Sequence, residues 1–160
     1  MDNEFNLDLN GSQVYYIFMN EKILALLCTI VKTGRLVESK QDRLLNTVEL
    51  SVTKMLALQH LLWTDGPLSL GDLAERLQFV KSNVTQLVDN LEAAWLVQRV
   101  PHVSDRRCKV LALTDEGQKQ AAVALEAVQP LVNQIAALYT PEEQETLAQL
   151  LQRLNEVLYA

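Results

Sequence analysis

From Val14 to Lys32 apolar residues recur (Ile17, Phe18, Ile23, Leu24, Leu27, Ile30, Val31) at the density of a long, mostly buried helix. A second helical piece is expected over Leu36 to Val48. The segment LSVTKMLALQHLLW (50–63) is amphipathic at helical spacing, with Met55, Leu58, Leu61 and Leu62 on one side. It stops at the turn residues Asp65-Gly66-Pro67. Ser69 with Asp72 three positions on is a capping pattern, which opens a short helix over SLGDLAERL. After the connector Gln78-Phe79-Val80 comes KSNVTQLVDNLEAAWL. There Val84, Leu87, Val88 and Leu91 form the inward stripe, and Ser82, Asn83, Gln86 and Asn90 face outward.

Two β-type runs follow, LVQRV (96–100) and VLALT (110–114), and they pair as a hairpin around HVSDRRCK (102–109). Thr114-Asp-Glu-Gly117 begins a long Ala/Leu/Val helix to about Tyr139. Thr140-Pro-Glu-Glu143 sets a cap, a proline at the first helical position and a glutamate at the third, so a last helix starts there and runs to Ala160. The fold class is mainly α with a small β-hairpin. A short helix, an outward-polar helix and a hairpin in that order make a winged helix-turn-helix. A helix fits the major groove, and polar positions over 82–90 would be its base-reading side. Cations on a hairpin beside it would neutralise phosphate or enter a narrow minor groove.

Charge sharpens this picture. The formal net charge is -6, which on its own argues against nucleic acid. Residues 50–115, however, balance seven cations against seven anions, and the whole deficit lies in the two flanks. Within 96–109, Arg99, Arg106, Arg107 and Lys109 face only Asp105. The hairpin is a basic spot on an acidic chain.

Composition bounds the rest. With 160 residues, 49% hydrophobic and 21% charged, the chain suits one globular domain. A chain of this size buries roughly 70% of its unfolded surface. No apolar run reaches the roughly 18 residues of a membrane span, and the longest candidate, ILALLCTIV (23–31), has nine. The acidic start MDNEFNLDLN lacks a secretory n-region, so a cytoplasmic location is expected. Cys28 and Cys108, His60 and His102 lie too far apart in sequence for a disulfide scaffold or a zinc site. No Gly-rich phosphate loop, GxSxG or paired His/carboxylate motif is present, so neither an enzyme nor a cofactor is expected.

The string PLSLGDLAERL…VTQLVDNLE…LVQR…SDRRCKVLALTDEGQ resembles the multiple-antibiotic-resistance regulator (MarR) family over about residues 50–120. Asp-Arg-Arg followed by a strand and Leu-Thr-Asp-Glu-Gly (113–117) is its most specific part. The resemblance implies a homodimeric DNA-binding transcriptional regulator forming one domain over 1–160. Residues 50–115 would be the winged lobe, with the recognition helix near 82–94 and the wing at 97–113. Residues 1–49 and 116–160 would supply dimerisation helices. It further implies that Arg107 enters the minor groove with Asp105 helping to hold it, and that small effectors, often aromatic acids, lodge between the lobes. Four positions depart from the family pattern. Gln86 and Asn90 stand where basic residues are usual, Val80 where a small polar cap is usual, and Trp95 where glycine is usual.

The candidate contacts to double-stranded DNA are therefore Lys81, Ser82, Asn83, Thr85, Gln86 and Asn90 on the helix, with Arg99, Asp105, Arg106, Arg107 and Lys109 on the wing. Gln and Asn side chains can each bond an adenine edge bidentately. Cys108, after two arginines, and Cys28 are candidate redox sites, although a cysteine in an apolar helix is normally a buried, inert thiol. Trp63 and Trp95 are expected in the core or at its edge. Tyr15, Tyr16 and Phe18 are expected as dimer core, with an effector pocket as the other reading. The competing class is a winged-helix protein-interaction module that has lost DNA binding.

Overall fold

A computed structural model describes residues 11–64, 66–102 and 107–159, and the side chains within that set from residue 20 onward. Helix α1 covers Gly11–Leu45 and passes directly into a 3-10 turn at Asn46–Val48. The expected break between Lys32 and Leu36 is absent. Gly34 costs a helix only about 0.5–1 kcal/mol relative to alanine, too little to interrupt good helix formers on both sides. The chain divides into two compact units, residues 1–39 and 40–160. The first is α1 up to Ser39, and it exposes Ile23, Leu24, Leu26, Leu27, Val31 and Leu36. Cys28 is exposed here too, contrary to the expected buried thiol. The apolar spacing predicts a mostly buried helix, whereas these side chains are exposed.

The second unit holds α2 (Val52–Leu62), α3 (Leu70–Leu77), α4 (Lys81–Ala93), β1 (Val97–Pro101), β2 (Lys109–Leu113), α5 (Asp115–Ala136) and α6 (Pro141–Tyr159). Each helix start is written in its cap. Ser51 Oγ accepts from the Lys54 N–H. Ser69 and Asp72 form a reciprocal capping box, and hydrogen bonds from the Ser69 hydroxyl and N–H hold the Asp72 carboxyl below the usual carboxylate range. Thr114 Oγ1 accepts from Gly117 N–H, and Thr140 and Glu143 cap α6 reciprocally. The end of α1 is tied to α2 by Asp42, whose carboxylate accepts from Val52 N–H at 3.1 Å.

The core of this unit lies where α2 packs on α3, α5 and β2 and where α4 packs on α3 and β1. Leu45, Leu58, Leu73, Val84, Val88 and Leu91 are its largest fully buried side chains, and among the described residues none of the buried ones is polar or charged. Burial of each leucine contributes about 1.5–3 kcal/mol. The four inward positions expected on α4 are all buried. Helices α5 and α6 meet at a bend of 106°. Among the described residues no single helix is long and apolar enough to cross a membrane.

His60, half-buried on α2, has its pKa held below the ordinary 6.5, first by burial and then by the nearby Arg76 guanidinium. The folded state therefore prefers the neutral ring, and the unfolded chain takes up the proton first. Stability from this residue is complete above about pH 6.5 and is lost as pH falls through the folded pKa. Thermal melts between pH 7.5 and 5.5 should show a downward slope that His60→Gln flattens. An identical slope in the variant would exclude His60 as its source.

Candidate nucleic-acid interface

Three devices hold α4 and the hairpin in one arrangement. First, α3 ends in a left-handed Gln78 (φ 56), and the Phe79 N–H returns to the Ala74 carbonyl at 3.0 Å. This reverses the chain so that α4 starts two residues later. Second, α4 ends the same way at Trp95 (φ 59), with the Leu96 N–H on the Leu91 carbonyl at 2.9 Å. A tryptophan in that region carries a strain of roughly 1 kcal/mol that glycine would not. Trp95 is 79% exposed and Trp63 65% exposed, whereas both were expected in the core or at its edge. Turn geometry, not ring burial, decides where Trp95 points.

Third, Arg99 of β1 ties the hairpin to α4. Its guanidinium bonds the Glu92 carboxylate and, at 2.7 Å, Asp89 Oδ1, while its N–H donates to Glu92 Oε1 at 2.9 Å. From the sequence alone, Arg99 counts among the expected contacts to DNA. The structure engages it instead with two carboxylates of α4, and neither Asp89 nor Glu92 was singled out from the sequence. Their spacing, one helical turn apart and seven and ten residues before Arg99, was the available signal.

Strands β1 and β2 pair antiparallel from Val97↔Leu113 to Pro101↔Lys109, one residue displaced from the expected runs. The His102 N–H to Cys108 carbonyl bond at 2.8 Å adds a further rung toward the tip. Leu68 bridges Leu111 on the outer edge of β2, so the wing is anchored in the core at mid-length. Arg107, Cys108 and Lys109 are exposed on the returning arm. Asp105 and Arg106 lie outside the described residues, and with them the expected Asp105–Arg107 relation.

On α4, Lys81, Ser82, Asn83, Gln86 and Asn90 are all exposed. Thr85 is half-buried and donates its hydroxyl to the Lys81 carbonyl at 2.9 Å, which leaves that oxygen only as an acceptor for any outside group. Val80 caps α4 without a side-chain hydrogen bond. The arrangement presents a helix with a polar outer face and, fixed beside it, an antiparallel ribbon carrying cations toward its tip. Among the described residues no group of three or more His, Cys, Asp or Glu could hold a metal ion.

Residues 50–109 match the MarR family. Over 111 residues, 69% of each chain, the sequence is 31% identical to YfiV, an uncharacterized HTH-type transcriptional regulator of Bacillus subtilis (strain 168). The chain spans between 30% and 59% of the length of several other curated HTH-type regulators that it matches. The fold is similar to that of S. aureus MepR in its crystal structure as a DNA complex, with a TM-score of 0.71 at 23% identity, covering 81% of this chain and 95% of that one. It is also similar to CouR from Rhodococcus jostii RHA1 bound to p-coumaroyl-CoA, with a TM-score of 0.74 at 23% identity, covering 79% and 88%. At these identities the two structures speak for the fold.

Proposed function

The chain belongs to the MarR family of transcriptional regulators, and on that premise we propose that it acts in the cytoplasm as a homodimer on a pseudo-palindromic DNA operator, its grip modulated by a small-molecule or oxidant signal. The observation that carries this reading is the pairing of an exposed polar face on α4 with a cation-bearing wing held against the same helix through Arg99. In the proposed complex α4 enters the major groove, and Arg107 and Lys109 approach the backbone or the adjacent minor groove. Two such lobes would meet successive major grooves about 34–36 Å apart.

Dimerisation is supported by exposed apolar side chains on two long helices. Helix α1 exposes Ile23, Leu24, Leu27 and Val31, and α6 exposes Leu147, Leu150, Leu151 and Leu158. Exposed apolar surface on this scale marks an association face. Residues 1–49 and 116–160 are thus proposed as the dimerisation segments, and 50–115 as the DNA-binding lobe. Modulation is supported by a cleft of about 640 Å³ between the start of α4 and the end of α6, lined by Phe79, Val80, Lys81 and Tyr159. A small aromatic molecule seated there would press on the first turn of α4. The exposure of Cys28 and Cys108 supports an oxidant as the other signal.

A band shift of labelled genomic fragments at low salt tests the reading. Lys81, Arg107 and Lys109 are exposed in each subunit. A two-fold complex using these three cations should lose affinity with a log–log salt slope of about -5. No shift at low salt would favour the protein-interaction module instead.

A further inference from the structure

The outer surface of α4 carries a pattern that says which bases the proposed function would read. Asn83, Gln86 and Asn90 are spaced by three and four residues and all are exposed. At 3.6 residues per turn they fall within about 60° of arc, as a single stripe of carboxamides rising roughly 10 Å, which is about three base-pair steps. The inward residues Val84, Leu87, Val88 and Leu91 are buried on the other side. A carboxamide offers one donor and one acceptor in a plane, which matches N7 and N6–H of adenine. Guanine presents two acceptors, N7 and O6, and is matched by arginine or lysine.

Among the described charged groups of α4 and β1, those that would read other bases are occupied or displaced. Lys81 is the one cation among the described residues of α4, and it sits at the first position of the helix, outside the stripe. Arg99 is engaged by Asp89 and Glu92. Asp89, the carboxylate nearest the stripe and a potential acceptor for cytosine N4–H, is held by that same arginine.

Resting on the DNA-binding reading above, we infer that the stripe Asn83–Gln86–Asn90 selects A·T pairs at the core of each operator half-site, with adenine N7 and N6–H as the recognised edge. Each carboxamide donates an N–H to N7 and accepts from N6–H. The flanking cations then add affinity without choosing the core sequence.

Selection of bound duplexes from a random-sequence pool by the full chain, at low salt, tests this directly. The expected result is an inverted repeat whose half-sites have A·T cores, with affinity falling roughly three- to tenfold for each core adenine replaced by 7-deazaadenine, which lacks N7 but pairs normally. Gln86→Ala should relax selection at one core position and leave the helical content unchanged. Selected cores of G·C pairs, or indifference to 7-deazaadenine, would overturn the inference and leave DNA binding standing. Failure to enrich any sequence, together with no band shift, would overturn the DNA-binding reading itself.

Discussion

Gly117→Ala is expected to cost about 3 kcal/mol or more of folding stability, lowering the thermal midpoint by roughly 10 °C for a chain of this size. In an isolated helix the same substitution would stabilise by about 0.5–1 kcal/mol, so the sign itself is informative. A Cβ on Gly117 would stand 1.9 Å from the Leu96 carbonyl oxygen and 2.8 Å from its carbon. Both are backbone atoms, and that carbonyl already accepts from Thr114 N–H at 3.1 Å. Thr114 in turn donates its hydroxyl to the Trp95 carbonyl at 2.6 Å. The first turn of α5 is thus pressed onto the junction between α4 and β1, and it can retreat only by moving the base of the wing. Gly34→Ala is the control: nothing lies within 4 Å of its added Cβ, and the substitution should be neutral or slightly stabilising. Equal melting of Gly117→Ala and the parent protein would refute the close approach. A melt lowered as expected should be accompanied by weaker DNA binding, because the wing shares the displaced backbone.

How much of this was legible in the sequence depended on whether the controlling interaction was local. Ser69 with Asp72, Thr114 with Gly117 and Thr140 with Glu143 each satisfy backbone groups within one turn, so helix starts could be read from neighbouring residues. The period of Val84, Leu87, Val88 and Leu91 fixed which side of α4 is buried, and by elimination which side is presented. Family membership and the winged fold followed from those local signals. Interactions between distant elements were not legible. Arg99 looked like one more wing cation because its partners lie seven and ten residues away on another element. Gly117 looked like an ordinary part of a capping sequence, because its collision partner is the backbone of Leu96. The exposed tryptophans and Cys28 went astray for a related reason. An apolar residue shows that burial is favourable and says nothing of what covers it, and Ile23, Leu24, Leu27 and Val31 of α1, expected buried from their spacing, are exposed.

Arg107→Ala is expected to lower operator affinity on the order of a hundredfold, taking about 1.4 kcal/mol for each of two wings, toward the low end of the range for one specific contact. Fold and oligomeric state should be unchanged, because Arg107 is exposed and outside the hydrophobic core. The magnitude follows from what the rest of the interface lacks. The outer face of α4 is largely uncharged, and Arg99 is committed to carboxylates within the chain. The electrostatic part of binding therefore falls on few side chains. Removing one cation from each subunit of a dimer should make the salt slope shallower by about 2. Arg107→Lys separates charge from shape. A phosphate contact would be largely restored by lysine, whereas insertion into a narrow minor groove favours the more weakly hydrated guanidinium. Restoration of the salt slope without restoration of affinity would identify groove insertion, and the deficit should then be greatest on operators with A-tract flanks. Wild-type affinity in Arg107→Ala, measured by fluorescence anisotropy across a salt series, would remove the wing from the mechanism and leave α4 to account for binding alone.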